Sequence, residues 1–450
     1  MGGGLLQLVA YGAQDAYLSG NPQITFWKGL FKRHTNFAME PFRVNLTGQP
    51  SWGTKHSAIL GRHADLIASS YIEVELEKGD DMMLLTKGAA NFVSYVELDI
   101  GGQVIDRQYG EFMAVWASLT YPVDKYGLWS SLVSASGDNN TCGPYGRPSR
   151  KGVYYIPLMF FFCRNPGMAL PLIALQYHEV KINILWNEAK MIYERYTRAD
   201  TPPPGYNIGD LKTRASGPTQ ANLLVDYIYL DVEERRRMAQ ESHEYLIEQT
   251  QFNEDKGLTS AQNRIDLTFN HPVKELIWVT QASWKRDCRI EPPEADANGI
   301  PTDGQISPLS YDDIIYDCSL QLNGQDRVPP LPGKYFSTVQ PFQHHSGGSS
   351  NFLNNMLIST LIGAGAPLSA IQGYSQGGIY VYSFAIKPEE HQPSGTCNFS
   401  RIDTATLVFS VDGGIAISNA DNKNYDIRVY AINYNILRIM SGMGGLAYSN

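Results

Sequence analysis

The sequence predicts an all-β protein made of two β-sandwiches in series, and three observations carry that reading. Charged residues are only 18% of the 450-residue chain, while 41 glycines and 25 prolines supply turn signals throughout, a balance that favours short strands over long charged helices. Tyrosine occurs 27 times and aromatics reach 11%, which suits pleated, half-buried surfaces. Segments of alternating hydrophobicity recur along the chain, and part of the pattern returns about half a chain later.

Taken in order, Met1 to Phe26 shows Gly and Gln-Asp punctuation without a clear amphipathic period and reads as an arm. Tyr71 to Glu77 alternates strictly, placing Ile72, Val74 and Leu76 on one face and glutamates on the other, the period of a half-buried strand. Tyr95 to Ile100, then Gly101 and Gly102, then Gln103 to Arg107 reads as a hairpin, because glycine takes the positive φ of a two-residue turn without steric cost. Phe112, Val115, Trp116 and Leu119 then recur at helical spacing and predict one short amphipathic helix. Val153–Phe162, Leu172–Trp186 and Leu224–Val232 read as further strands. Glu233 to Glu248 is charged and helix-favouring, and is expected to connect two halves, with Arg235, Arg236 and Arg237 on a solvated face beside glutamates.

The second half echoes the first. Leu98–Gln103 (LDIGGQ) returns as Leu320–Gln325 (LQLNGQ), with the turn glycines Gly102 and Gly324 separated by 222 residues. The run beginning at Tyr154 has a counterpart beginning at Ile379, 225 residues on. A single repeat of this length points to tandem domains of one architecture, since solenoid repeats run about 20–50 residues. Connections too long for simple hairpins favour Greek-key sandwiches or jelly rolls over up-and-down barrels.

Composition also narrows function. The formal net charge of −9 argues against a surface that grips nucleic-acid phosphates, so no direct sequence-specific nucleic-acid binding is expected. Cys142, Cys163, Cys288, Cys318 and Cys397 are widely spaced, lack a C-x-x-C pair, and read as reduced thiols. No basic-then-apolar leader and no run of about 18 apolar residues is present, so signal-directed secretion and membrane spanning are not expected.

Gly373–Gly377 (GYSQG) matches the G-x-S-x-G nucleophile elbow, but a strand pattern follows it where that elbow needs a helix, so a Gly/Ser loop is the better account. None of the nine histidines forms H-E-x-x-H. His344 and His345 are read as successive strand positions facing opposite sides, fitting a structural or interface role better than a metal site. No catalytic, cofactor-binding or metal-binding residue is therefore expected. Of the sequons at Asn45, Asn139 and Asn398, Asn139 lies in a polar stretch and is the glycosylation candidate.

Several stretches carry a resemblance. Gly4–Asp15 (GLLQLVAYGAQD), Gly20–Phe26 (GNPQITF), Arg33–Glu40 (RHTNFAME), Ala174–Ile182 (ALQYHEVKI), Phe269–Trp278 (FNHPVKELIW), Pro332–Phe342 (PGKYFSTVQPF), Gln392–Asp403 (QPSGTCNFSRID) and Ile439–Asn450 (IMSGMGGLAYSN) closely resemble major capsid proteins of nucleocytoplasmic large DNA viruses, especially the algal-virus group. The resemblance implies a double jelly roll: two tandem eight-stranded jelly-roll β-sandwiches with short helices in the connections. The expected division is an arm over 1–26, a first jelly roll over 27–235 and a second over 236–450.

It further implies a homotrimer forming a pseudo-hexagonal capsomer in an icosahedral virion, assembled in the host cytoplasm. Neighbouring capsomers, minor capsid and penton proteins would be its partners, with an internal viral membrane nearby; the arm itself, a terminal segment that stays mobile unless docked, is expected beneath the first sandwich in contact with neighbours or minor components. A two-domain carbohydrate-binding protein or serine hydrolase is the alternative. One departure from the family pattern is residues 346–376, whose Phe352, Leu353, Met356, Leu357 and Ile358 are candidates for an assembly loop or a variable tower loop.

Overall fold

The computed structural model describes residues 3–24, 26–27, 32–76, 83–84, 89–133, 152–188, 193–194, 218–283, 313–347, 378–411 and 424–448. Met1–Phe37 forms one compact unit and Ala38–Asn450 another. In the first, the short helices α1 (Gly3–Val9) and α2 (Asp15–Ser19) contain no buried residue. The turn between them is held by Asp15, whose Oδ2 accepts from the Gly12 N–H at 2.7 Å. Leu8, Val9, Tyr17 and Leu18 are all exposed.

From the boundary at Phe37 the chain continues with β1 (Phe37–Asn45), β2 (Lys55–Ile59), β3 (Leu66–Leu76), β4 (Met83–Leu84), β5 (Val93–Ile100) and β6 (Gln103–Tyr109). Helices α3 (Gly110–Thr120) and α4 (Val123–Val133) follow, then β7 (Gly152–Pro157), α5 (Phe161–Arg164), β8 (Leu170–Pro171), β9 (Val180–Trp186), β10 (Tyr193–Glu194) and β11 (Gln220–Leu230). After α6 (Val232–Gln240) come β12 (His243–Leu258), β13 (Gln262–Asp266), β14 (Pro272–Ala282), β15 (Ile315–Leu322) and β16 (Gln325–Pro332). A helical segment over 333–344 leads to β17 (Ile379–Ser383), β18 (Cys397–Asn398), β19 (Ala405–Val411), β20 (Tyr425–Met440) and β21 (Met443–Leu446).

The sheet orders are β1-β11-β3-β7 with β2-β9-β5-β6, then β12-β20-β14-β17 with β13-β19-β15-β16. Position by position these are one topology used twice: β1 corresponds to β12, β3 to β14, β6 to β16 and β11 to β20. Even the short strands obey the correspondence, since β8 pairs with β3 as β18 pairs with β14. The fold is a double jelly roll, as the resemblance implied.

Local chemistry explains the repeated parts. Gly101 and Gly102 have φ of 62° and 87°, and Asn323 and Gly324 have 51° and 77°, so both β5–β6 and β15–β16 turn through residues that tolerate positive φ. Helix α3 begins at Gly110, where an added Cβ would lie 2.1 Å from Val93 O; at Gly333 it would lie 2.1 Å from Ile315 O. Val93 and Ile315 open the corresponding strands β5 and β15. Gly110→Ala and Gly333→Ala should therefore each destabilise the protein by about 1–3 kcal/mol through overpacking against backbone. Denaturant midpoints will check this, and an unchanged midpoint for either variant contradicts the shared constraint.

Four expectations need correction. The apolar run ending at Phe162 leaves the strand after Pro157 and turns into α5, because a continuous apolar run lacks a period that separates strand from buried helix. Residues 172–179 form turns before β9, with Leu172, Ala174 and Leu175 nevertheless buried. The charged connector is helical only to Gln240, and His243–Glu248 belongs to β12, where pairing with β20 overrides helix propensity. Finally, Tyr154 and Tyr380 both face their sandwich interiors, so the structural offset there is 226, one residue beyond the sequence match.

The sheet β12-β20-β14-β17 is buried on both faces. Leu276, Trp278, Tyr380, Val429 and Ala431 line the second sandwich's own core, whereas Ile277, Val279, Val381, Tyr430 and Ile432 join the core of the first. The second set packs around α3, creating a seam between the sandwiches.

Candidate functional site

The main concentration of buried ionisable groups among the described residues lies along this seam. At one end, the Gln249 side chain donates to Ile105 O. The Thr250 N–H donates to Asp106 Oδ1 at 3.0 Å, and Gln108 Nε2 donates to Asp106 Oδ2 at 3.1 Å. Burial pushes the Asp106 carboxyl up to about 6, against the opposing effect of these hydrogen bonds.

In the middle, Glu111 on α3 lies 2.6 Å from Arg428 Nε in an ion pair and accepts from Arg428 Nη2 at 2.7 Å, while the Tyr430 hydroxyl donates to it at 2.9 Å. Arg428 Nη2 also donates to Gln281 Oε1 at 3.0 Å. The rings of Phe112 and Tyr430 lie 5.0 Å apart, and those of Tyr109 and Phe252 4.6 Å apart, distances typical of favourable aromatic packing.

At the far end, Trp116 stands 4.8 Å from the Arg164 guanidinium and 5.8 Å from Lys274 Nζ. Both cations reach Glu248 at 2.5 Å, and Lys274 also donates to Pro388 O at 2.6 Å. Burial pulls the Lys274 amine below its usual value despite Glu248. Burial opposes ionisation of Glu248 too, but Lys274 and Arg164 hold its carboxyl below the ordinary range.

His345 completes this group. Its Nε2 lies 2.5 Å from Glu275 Oε1 and its Nδ1 2.9 Å from Glu389 Oε1. Two carboxylate acceptors require both ring nitrogens to donate, which makes this histidine an imidazolium. Burial opposes that charge, but Glu275 and then Glu389 raise the ring to about 9. Ser346 ties the same turn to α3, its hydroxyl 2.8 Å from Thr120 O, while the Gly347 N–H donates to Leu119 O at 2.8 Å. Arg164, Lys274 and His345 thus face Glu248, Glu275 and Glu389 in a balanced cluster. Such an arrangement can fix how two domains dock.

Two models of known families match the chain. One, for the N-terminus of major capsid proteins, covers residues 25–231; the other, for the major capsid protein of large eukaryotic DNA viruses, covers 234–353 and 366–445. The major capsid protein of Pyramimonas orientalis virus is 44% identical over 453 residues, covering 100% of both chains. The chain belongs to the major capsid proteins of large eukaryotic DNA viruses. The major capsid protein of Paramecium bursaria Chlorella virus 1 is 38% identical over 485 residues, again covering 100% of each. The solved PBCV-1 VP54 structure matches with a TM-score of 0.72 and 33% identity, over 95% of this chain and 100% of that one. The Faustovirus major capsid protein, at 11% identity and TM-score 0.65, covers 96% of this chain and 94% of that one and shares the fold.

In this capsid protein, His344 and His345 end the helical segment 333–344 and do not occupy a strand. His345 has the structural role expected of it, and His344 Nδ1 lies 3.0 Å from Ile386 O. Arg235 pairs with Asp65 at 3.0 Å and Arg237 with Glu241 at 3.1 Å. Asn398 Oδ1 accepts from the Ser400 N–H at 3.1 Å, and Asn45 is exposed at the end of β1. Cys163, Cys318 and Cys397 are free thiols.

Asn139, Phe352, Leu353, Met356, Leu357, Ile358 and the Gly373–Gly377 motif lie outside the described residues. The second family model is interrupted between 353 and 366, within the 346–376 segment singled out as a departure. Among the described residues, no group of three or more His, Cys, Asp or Glu is arranged to hold a metal, and no helix is long and apolar enough to cross a membrane. Glu111, Lys274 and Arg428 escaped sequence reading because their partners come from distant segments and no motif marks them.

Proposed function

We propose that this capsid protein acts as a homotrimer, each chain contributing two jelly rolls, so that six similar lobes form a pseudo-hexagonal capsomer of an icosahedral shell. The use of one strand order twice within a chain carries this reading. Two similar lobes per chain let a threefold assembly sit among six neighbours. Its place is the virion, with assembly in the host cytoplasm. Neighbouring capsomers, minor capsid and penton proteins are the partners, and an internal viral membrane lies nearby. Its role is structural and requires no enzyme activity or cofactor.

Within this reading the division is an arm over 1–26, a first jelly roll over 27–235 and a second over 236–450. The exposed apolar residues of α1 and α2 suit the arm to contacts with neighbours or minor components. Phe352, Leu353, Met356, Leu357 and Ile358 supply apolar contacts between subunits, and Asn139 is a surface site for glycosylation. Light scattering on purified protein tests the assembly: the expected particle has three times the 50.1 kDa chain mass. A species of single-chain mass at micromolar concentration contradicts it.

A further inference from the structure

Among the described residues, the internal seam has a duplicate that no other element fills. In the first half, α3 follows β6 and buries Phe112, Val115, Trp116 and Leu119. In the second, the segment 333–344 follows β16 in the same way, and alignment of Gly110 with Gly333 places Lys334 at the Glu111 position; beyond it the segment runs through a π-helical turn, Tyr335–Val339, so that Val339 and Phe342 match Trp116 and Leu119 by count rather than by face. Yet this segment buries only Gly333, Phe336 and Gln340. Phe342 is 87% exposed, Val339 is 38% exposed, and Lys334 is exposed as well.

The complementary half of the duplicate is the outer face of the sheet β1-β11-β3-β7. Val74 pairs with Tyr154 as Trp278 pairs with Tyr380. Glu75 therefore stands where Val279 stands. Gln220, paired with Glu75, stands where Arg428 stands, paired with Val279. On the same alignment Val153 and Tyr155 replace Ile379 and Val381, and Val153 is 45% exposed.

We propose that the segment 333–344 of one copy docks on the outer face of the β1-β11-β3-β7 sheet of a second copy, with Lys334 meeting Glu75 and Phe342 and Val339 covered. This rests on the homotrimer proposed above and specifies its contact. The polarity is reversed relative to the internal seam, where the helix carries the anion, Glu111, and the sheet the cation, Arg428. Placing Lys334 against the Arg428 face would oppose two cations, so the reversal directs each helix to its own sheet. Because the two surfaces differ, the contact is head-to-tail and can close into a ring.

Native mass spectrometry of full-length wild type, Lys334→Glu, Glu75→Lys and the double variant tests this, with unfolding midpoints confirming that each folds. Either single variant should raise the monomer-to-trimer ratio by about tenfold or more, and the double variant should return it towards wild type. A trimeric wild type whose single variants stay equally trimeric overturns this contact, as does a double variant no better than the singles. A monomeric wild type overturns the homotrimer reading instead.

Discussion

Glu111→Ala should lower the free energy of unfolding by about 3–5 kcal/mol, the loss expected when one partner of a buried ion pair is removed. The side chain of Arg428 is only 2% exposed and makes a two-point contact with Glu111, at 2.6 and 2.7 Å. Truncation leaves that guanidinium in the seam without its carboxylate and takes an acceptor from the Tyr430 hydroxyl. Replacing both partners, as in Glu111→Ala with Arg428→Met, should recover much of the loss because no buried charge is stranded. Equilibrium denaturation is the readout. A loss below about 1 kcal/mol for the single variant would mean that water solvates the pair.

Stability should also fall on the alkaline side. The neighbouring carboxylates raise the His345 ring from its ordinary 6.5 to about 9 in the folded chain. A group whose folded pKa is raised stabilises fully below its unfolded pKa, and that contribution disappears as pH rises through the folded one. The window therefore runs from about pH 6.5 to about 9, and the contribution is on the order of 3 kcal/mol at 1.36 kcal/mol per unit. Glu275, Glu389, Lys274, Arg164 and Trp116 surround the ring or its partners. His345→Gln retains all of these, so the difference between wild-type and variant profiles isolates the histidine. Wild type should lead at pH 6.5 and lose that lead by about pH 9.5; parallel profiles contradict the assignment.

What the residues disclosed unaided was local. The hairpins at Gly101–Gly102 and Asn323–Gly324 follow from two-residue turns, and α3 from the spacing of Phe112, Val115, Trp116 and Leu119. The duplication was visible at the turns, although its register slipped by one at Tyr154 because a short aromatic run matches at neighbouring offsets. The resemblance gave the strand count and the family, but alternation alone does not encode strand order. Helix α6 was legible through its charges, whereas its end was not, since β12 is set by pairing with the distant β20. The seam was invisible for the same reason: Glu111 and Arg428 are 317 residues apart.

On the proposed contact, the seam inside one chain recurs between chains, with Lys334 at the Glu111 position and Glu75 paired beside the residue that stands where Arg428 does. Electron cryomicroscopy of the purified oligomer reads this directly. The expected result is threefold density with six jelly-roll lobes and Phe342 covered by a neighbour's β3 and β7. A ring closed through other surfaces, with Phe342 still facing solvent, would contradict it.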